Sequence, residues 1–116
     1  MKILIVDDEK LMRELLVDVF ESEGHSVRSA QDGVDALSVY QEFSPEVIVL
    51  DVMMPGIDGF EVCRKIRNDF ADKETCIYLL TGMGGNDLVV RGREQGANKV
   101  LFKPISNSDL INIVAS

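Results

Sequence analysis

Hydrophobic residues in this chain fall into five short runs separated by longer, amphipathic stretches. The runs cover residues 3–6, 27–30, 46–50, 77–81 and 99–102. Runs of this length suit β-strands, and each gap is long enough for a crossover helix, so the pattern predicts a parallel α/β sheet with helices on both faces. The run at 27–30 is the most polar, and we expect it at the edge of the sheet, beside the first strand.

Helices are predicted over residues 9–22, 33–43, 59–70, 86–95 and 107–116. In the first of them, six apolar residues fall on a stripe at helical spacing: Leu11, Met12, Leu15, Leu16, Val19 and Phe20. Asp32 and Asp58 stand where the second and third helices need N-caps. Gly92 weakens the fourth prediction, because glycine costs about 1 kcal/mol relative to alanine inside a helix.

The length of 116 residues suits one compact domain that buries its own core. The last predicted helix covers only about two to three turns, and we expect residues 1–116 to be a single domain excised from a longer protein. Apolar residues make up 46% of the chain without approaching a membrane-spanning stretch. Met1 and Lys2 lead into the first strand without a signal-peptide layout, so we expect a cytoplasmic protein with no membrane partner.

The net charge and the cysteine content argue against two further functions, nucleic-acid binding and metal chelation by soft ligands. The formal net charge of −8 opposes direct nucleic-acid binding, which needs basic residues to neutralise phosphates. Cys63 and Cys76 do not form a metal-binding motif, and the only histidine is His25, so soft-ligand metal chelation is not expected. The two thiols are interpreted as small core residues in a reducing compartment.

Three aspartates stand at the ends of two predicted strands. Asp7 and Asp8 follow the first run, and Asp51 follows the third. The ends of parallel strands meet at the carboxyl edge of the sheet, where open α/β sheets bind ligands. Two like charges about 4 Å apart repel by roughly 4 kcal/mol at an effective dielectric near 20, so the cluster needs a cation. Mg²⁺ takes one or two carboxylates and leaves room for a phosphoryl oxygen, which indicates phosphoryl chemistry.

Two more polar residues close predicted strands. Thr81 ends the fourth run, and Lys103 follows the fifth. Each feature has an ordinary explanation when taken alone: an acidic helix start, a turn residue or a solvated lysine. Their coincidence at the ends of four strands favours a functional site.

A set of residues in the order and spacing of a known family runs through nearly the whole chain: Asp7-Asp8, Asp51, Met54-Pro55, Asp58-Gly59, Thr81 and Lys103-Pro104. This set closely resembles the receiver domain of two-component response regulators. The resemblance implies a flavodoxin-like, doubly wound five-stranded sheet of strand order 2-1-3-4-5. It also implies a phosphorelay switch in which Asp51 accepts a phosphoryl group from a phosphohistidine on a partner histidine kinase or phosphotransfer protein. An unknown output domain or protein would read the result.

The resemblance also assigns a Mg²⁺ site. Asp8 and Asp51 would bind the ion directly and Asp7 mainly through water, while the backbone carbonyl of Met53 would supply a further oxygen. The protein would not be an enzyme in the usual sense, because it would catalyse only its own phosphorylation and dephosphorylation.

The same resemblance assigns the groups around the phosphoryl oxygens. The backbone N–H groups of Met53 and Gly82 would donate hydrogen bonds, the Thr81 hydroxyl would join once phosphate arrives, and the Lys103 ammonium would neutralise charge. These roles agree with phosphoryl transfer, which needs positioning and charge neutralisation above all. X–Pro bonds adopt cis cheaply and the family usually has cis at this position, so we predict a cis Lys103-Pro104 bond that aims Lys103 inward.

Two departures from the family pattern bear on signalling. The family couples the threonine to an aromatic residue three positions before the lysine, but this chain has Val100 there, so the usual aromatic rotamer switch is not expected. Met53 and Met83 occupy the two positions that tune phosphoryl lifetime. Because neither side chain can hold an attacking water strongly, our hypothesis is a long-lived phosphoryl group.

Two other functions compete with the phosphorylatable switch. One is a Mg²⁺-dependent small-molecule phosphohydrolase with an aspartyl intermediate, comparable to haloacid-dehalogenase phosphatases. That enzyme would need its nucleophile on the first strand and a substrate-binding cap, and residues 7–10 read Asp-Asp-Glu-Lys with no insertion for a cap. The other is a scaffold read out without phosphorylation, which the complete set of acceptor, metal and neutralising residues disfavours.

Overall fold

The computed structural model describes residues 1–82 and 85–115, and within them five strands alternate with five helices. The strands are β1 (Lys2–Val6), β2 (Ser26–Ala30), β3 (Val47–Asp51), β4 (Cys76–Thr81) and β5 (Lys99–Phe102). The helices are α1 (Lys10–Ser22), α2 (Gly33–Phe43), α3 (Gly59–Asn68), α4 (Asn86–Glu94) and α5 (Asn107–Ala115). All neighbouring strands pair in parallel in the order β2-β1-β3-β4-β5. The predicted doubly wound sheet and the edge position of β2 are therefore confirmed.

The strands alternate their side chains between two hydrophobic cores, one on each face of the sheet. Leu4 and Ile48 lie in the core covered by α2 and α3. Ile5 and Val49 lie in the opposite core, which α1 and α5 cover. This alternation follows from the two-residue period of a strand, and burial on both faces explains why the central runs are almost entirely apolar. No helix in the described part of the chain is long and apolar enough to cross a membrane.

The apolar stripe of α1 is wider than the face that α1 buries. Leu16 and Phe20 are buried against the sheet, whereas Leu11 and Leu15 are 79% and 48% exposed. Residues four apart share a line along a helix, so the 11–15 line runs beside the 16–20 line and faces solvent. The stripe predicted from sequence therefore has a core part and a surface part.

The predicted N-caps of α2 and α3 are confirmed. Asp32 Oδ1 accepts a hydrogen bond from the N–H of Asp35 at 2.8 Å. Asp58 Oδ1 accepts one from the N–H of Glu61 at 2.9 Å. Each bond satisfies one of the N–H groups that a helix start leaves without a partner, which fixes where these helices begin.

The third helix ends at Asn68, two residues before the predicted end at Phe70. Phe70 packs edge-on against the ring of Tyr40 instead, with ring centroids 5.4 Å apart. The loop that follows is held by Asp72, whose Oδ2 accepts hydrogen bonds from the hydroxyls of Tyr40 at 2.5 Å and Thr75 at 2.6 Å. These bonds hold the pKa of Asp72 well below its ordinary value despite its burial. The two hydroxyl bonds to Asp72 connect α2 to the amino-terminal edge of the sheet, opposite the carboxyl edge.

The fourth helix contacts β5 through Gly92, which is buried. A Cβ atom at this position would lie 2.4 Å from Val100 Cγ2 and 3.2 Å from Leu79 Cδ1. The glycine that weakens the helix prediction is therefore the residue that lets α4 approach the sheet closely. Gly92 and Val100 form one packing unit.

Candidate functional site

The carboxyl edge of the sheet carries the five charged and hydroxyl residues that the sequence predicts at strand ends. Asp7 and Asp8 follow β1, Asp51 ends β3, Thr81 ends β4, and Lys103 follows β5. The parallel register of these four strands brings their ends level. The topology of the sheet therefore delivers residues up to 96 positions apart, from 7 to 103, to one edge.

Three carboxylates and one ammonium lie in direct range of each other. Asp7, Asp8 and Asp51 each offer one oxygen, and these oxygens all lie within 4.8 Å of one another. The Lys103 Nζ atom is 3.6 Å from Asp51 Oδ1 and 3.7 Å from Asp7 Oδ2. Asp7 and Asp51 are buried, whereas Asp8 is exposed. The cluster is therefore open to solvent on the Asp8 side.

Asp51 has an unusual acidity for an aspartate. It is only 6% exposed, and this burial raises its pKa to about 6. Lys103 and the N–H of Met53 lower the pKa, whereas the charges of Asp7 and Asp8 raise it. The Met53 N–H donates to Asp51 Oδ1 at 3.4 Å. Asp51 is thus ionised at neutral pH but more basic than an ordinary aspartate, which suits a nucleophile.

Asp7 is fixed through its backbone as well as its side chain. Its N–H donates to the carbonyl of Ala30 at 3.2 Å. Its Oδ1 accepts from the N–H of Glu9 at 2.9 Å, and its carbonyl accepts from the Arg13 guanidinium at 2.8 Å. Because Oδ2 faces Lys103, every polar atom of Asp7 has a partner.

The turn after β3 explains the Asp58-Gly59 pair of the sequence. A Cβ atom on Gly59 would lie 2.5 Å from the carbonyl oxygen of Asp51, and the Gly59 N–H donates to the carbonyl of Val52 at 3.0 Å. The first residue of α3 therefore rests directly on the end of β3. With Asp58 capping the helix, this contact fixes the backbone that carries Asp51.

Thr81 and Lys103 are joined through the main chain. Thr81 is fully buried, and its carbonyl accepts a hydrogen bond from the Lys103 N–H at 2.7 Å. The Lys103-Pro104 bond is cis, as predicted. Gly82 directly follows Thr81 and is exposed. The strand ends thus place a hydroxyl residue and a cation beside each other.

Of the two methionines predicted to influence phosphoryl lifetime, Met53 is among the residues that the structure describes. The side chain of Met53 is 57% exposed, beside the buried Asp51. Met83 lies outside the residues that the structure describes.

The donor set fits a small, hard divalent cation. Carboxylate oxygens are the ligands that Mg²⁺ prefers, and an exposed Asp8 beside two buried aspartates leaves room for the waters that Mg²⁺ keeps. A divalent ion would also offset the repulsion among the three carboxylates. Asp7, Asp8 and Asp51 are therefore able to hold Mg²⁺.

Sequence reasoning missed one contributor to this site. The sequence pattern predicts Arg13 only as part of the first helix, but its guanidinium donates to the Asp7 carbonyl in the loop that carries Asp7 and Asp8. The signal in the sequence is a basic residue on the first turn of the helix that directly follows an aspartate pair.

A doubly wound sheet of this strand order, with an acidic cluster and a lysine at its carboxyl edge, defines the class of phosphorylation-controlled signalling domains. The family model for the response regulator receiver domain matches residues 3–115. The chain therefore belongs to the receiver domains of two-component response regulators, which are signalling switches rather than dedicated enzymes. Receiver domains bind Mg²⁺ through an acidic pocket and interact with histidine kinases and output domains.

Similar proteins support this assignment. The response regulator PleD of Caulobacter vibrioides is 39% identical over 115 residues, which is 99% of this chain and 25% of the relative. The chain thus spans about a quarter of the length of these curated relatives. The chemotaxis protein CheY4 of Vibrio cholerae matches with a TM-score of 0.92 and 32% identity, covering 98% of this chain and 95% of that one. CheY in a CheX-CheY-BeF3-Mg²⁺ complex from Borrelia burgdorferi matches with a TM-score of 0.90 and 28% identity, covering 98% and 86%.

Proposed function

We propose that Asp51 is the phosphoacceptor of this receiver domain and takes its phosphoryl group from a phosphohistidine on a partner histidine kinase or phosphotransfer protein. The observation that carries this proposal is the position of Asp51: it is buried, its pKa is raised to about 6, and Lys103 lies 3.6 Å from its Oδ1. A nucleophile and a cation for the incoming charge are therefore adjacent.

The transfer requires one bond to form as another breaks. An Asp51 carboxylate oxygen attacks phosphorus, the P–N bond of the phosphohistidine breaks, and its electron pair returns to the imidazole nitrogen, which is protonated from solvent. Lys103 is positioned to neutralise the phosphoryl oxygens, and the N–H of Met53 is positioned to donate to them. Thr81 and the N–H of Gly82 bind the phosphoryl group once it has arrived.

Mg²⁺ is the cofactor that we propose for this step. Asp8 and Asp51 would bind it directly, Asp7 through water, and the Met53 carbonyl would complete the protein ligands. The ion supplies neutralisation of charge on the transferring phosphoryl group. The protein itself supplies the catalysis, so phosphorylation by a small phosphodonor is expected as well.

The surface beside the site suits a protein partner. The exposed Leu15 of α1 lines a groove of about 350 Å³ together with Lys103 and Pro104, and the exposed Leu11 lies one helical turn before Leu15. A phosphodonor protein must cover the surface around this groove to bring its histidine to Asp51. Apolar contact with the exposed leucines of α1 would stabilise that complex. Leu11→Glu, outside the lining that Leu15 shares with Lys103, should therefore slow transfer from any histidine kinase that phosphorylates the wild-type domain, without slowing phosphorylation by acetyl phosphate.

The phosphoryl group is expected to be long-lived. Hydrolysis needs a water held in line with the acyl phosphate, and the side chains of Met53 and Met83 offer no charge or strong hydrogen bond for it.

Because the chain spans about a quarter of the PleD relatives, we further propose that residues 1–116 act as the receiver unit of a larger protein whose remainder carries the output.

The decisive experiment tests the acceptor. The protein is incubated with acetyl phosphate and Mg²⁺, and its intact mass is measured. We expect the added mass of one phosphoryl group in the wild type and in Asp18→Asn, an exposed control, but none in Asp51→Asn or when EDTA replaces the metal. No added mass in the wild type, or an undiminished mass in Asp51→Asn, would overturn the proposal.

A further inference from the structure

We infer that Arg13 is a positioning residue for the Mg²⁺ site, acting through the backbone of the loop between β1 and α1. This inference rests on the metal site of the proposed function. Arg13 lies on the first turn of α1, and its guanidinium donates to the carbonyl oxygen of Asp7 at 2.8 Å. It is thus a second link between α1 and the end of β1, besides the chain itself.

The loop that Arg13 holds contains both aspartates of the pair. It has only three residues, Asp7, Asp8 and Glu9, between the last residue of β1 and the first of α1. The carbonyl that Arg13 bonds belongs to the peptide that joins Asp7 to Asp8. Rotation of this peptide would redirect the Asp8 side chain, which is exposed. A bond to this carbonyl therefore fixes the direction of Asp8 more than that of the buried Asp7.

The other hydrogen bonds that this loop makes with described residues do not involve the carbonyl between Asp7 and Asp8. The Asp7 N–H bonds Ala30, and the Asp7 side chain bonds the N–H of Glu9. These contacts anchor the start and the end of the loop. Among the described residues, only Arg13 donates a hydrogen bond to the carbonyl of the peptide between Asp7 and Asp8.

Whether Mg²⁺ affinity rises or falls when Arg13 is replaced distinguishes a positioning role from simple electrostatic repulsion. A positive charge near a cation site repels the cation, so removing the charge of Arg13 should tighten Mg²⁺ binding if electrostatics alone mattered. If Arg13 orients the ligands, its removal should weaken binding instead. Residues behind metal ligands typically contribute a factor of about 10 to 100 in metal affinity, so a net loss of affinity on removing Arg13 would show that positioning outweighs the repulsion.

The test is calorimetric titration of the full chain with Mg²⁺ at fixed ionic strength, without any phosphodonor. We compare the wild type with Arg13→Gln, Arg13→Lys and Arg64→Gln. Arg64 is the matched control, because it is a half-exposed helical arginine paired with Glu61 on α3. Urea unfolding without Mg²⁺ reports whether each variant is folded.

We expect the dissociation constant for Mg²⁺ to rise about tenfold in Arg13→Gln and to change less than twofold in Arg64→Gln. Arg13→Lys keeps a donor and the charge, so it should fall between the wild type and Arg13→Gln, and it also serves as the test if Arg13→Gln does not fold. An unchanged or tighter Mg²⁺ affinity in the folded Arg13 variants would overturn the inference. Failure of the wild type itself to bind Mg²⁺ would instead overturn the metal site of the proposed function.

Discussion

The Lys103 ammonium lies 3.6 Å from Asp51 Oδ1, and it is the strongest influence that keeps the pKa of the buried aspartate from rising further. The same ammonium is 3.7 Å from Asp7 Oδ2. One side chain thus bridges the proposed acceptor and one of the proposed metal ligands. Its loss should affect the acidity of Asp51 and the transfer reaction together.

Replacement of Lys103 by methionine tests this relationship. The pKa of Asp51 should rise above about 6, because burial and the neighbouring aspartates then act against a weaker counter-charge. Phosphorylation by acetyl phosphate at saturating Mg²⁺ should slow roughly a hundredfold, as expected when one group that stabilises transferring charge is removed. Carboxyl-carbon NMR titration measures the pKa, and intact mass against time measures the rate.

The control for this substitution is Lys99→Met, which removes an exposed lysine at the start of β5, the strand that Lys103 follows. Its rate should match that of the wild type. A Lys103→Met protein that is phosphorylated within twofold of the wild-type rate would contradict the role given to the ammonium.

Asp51→Asn should stabilise the metal-free domain. The pKa of Asp51 is higher in the folded protein, at about 6, than its ordinary value of 3.8, so folding favours the protonated form and ionisation costs stability. The stability of the wild type relative to Asp51→Asn should therefore fall as the pH rises from about 4 to about 6 and stay level above that. At pH 7 we expect the variant to be more stable by about 1 to 3 kcal/mol.

Urea unfolding in EDTA at a series of pH values measures this difference. For Asp18→Asn, on the exposed side of α1, the difference in unfolding free energy from the wild type should not change between about pH 4 and about pH 6. If Asp51→Asn were less stable than the wild type at pH 7, the buried carboxylate would not carry the cost of ionisation that its raised pKa implies.

Protons should compete with Mg²⁺ at this site. Metal binding needs ionised carboxylates, and Asp51 takes up a proton with a pKa of about 6. The dissociation constant for Mg²⁺ should therefore be nearly constant between pH 7 and pH 8 and rise by up to about tenfold per unit below pH 6. Calorimetric titration at constant ionic strength measures it, and a constant affinity from pH 7 down to pH 5 would speak against Asp51 as a ligand.

The sheet and the composition of the site were predictable because both follow from short-range patterns. Apolar runs mark the strands, and parallel strands bring their carboxyl ends to one edge whatever the lengths of the connections. Asp7, Asp51 and Lys103 could therefore be assigned to one place before any contact was known. The caps Asp32 and Asp58 were predictable for the same reason, since a cap acts within three residues.

Features that depend on packing between distant elements were not predictable. The bond from Tyr40 to Asp72 joins residues 32 positions apart, and nothing local to either residue indicates it. The exposure of Leu11 depends on which side of α1 meets the sheet, because the apolar stripe is broader than the contact. From sequence alone Gly92 weakens the prediction of α4, because only the packed structure brings it against Val100.

The close approach of Gly92 to Val100 sets the effect of a larger residue at position 92. Alanine favours a helix over glycine by about 1 kcal/mol, so propensity alone predicts that Gly92→Ala stabilises α4. The new Cβ atom would lie 2.4 Å from Val100 Cγ2, however, and such overpacking typically costs about 1 to 3 kcal/mol. We expect Gly92→Ala to destabilise the domain by about 1 kcal/mol in urea unfolding.

A double-mutant cycle with Val100→Ala separates the two effects. Val100→Ala removes the Cγ2 atom, so Gly92→Ala should become neutral or stabilising in that background, with a coupling of at least about 1 kcal/mol. Val90→Ala, on the exposed side of α4, should instead be additive with Val100→Ala. If Gly92→Ala costs the same with and without Val100, the two residues are not the unit that joins α4 to β5. The valine at the position of the family's aromatic switch would then have no demonstrated link to α4.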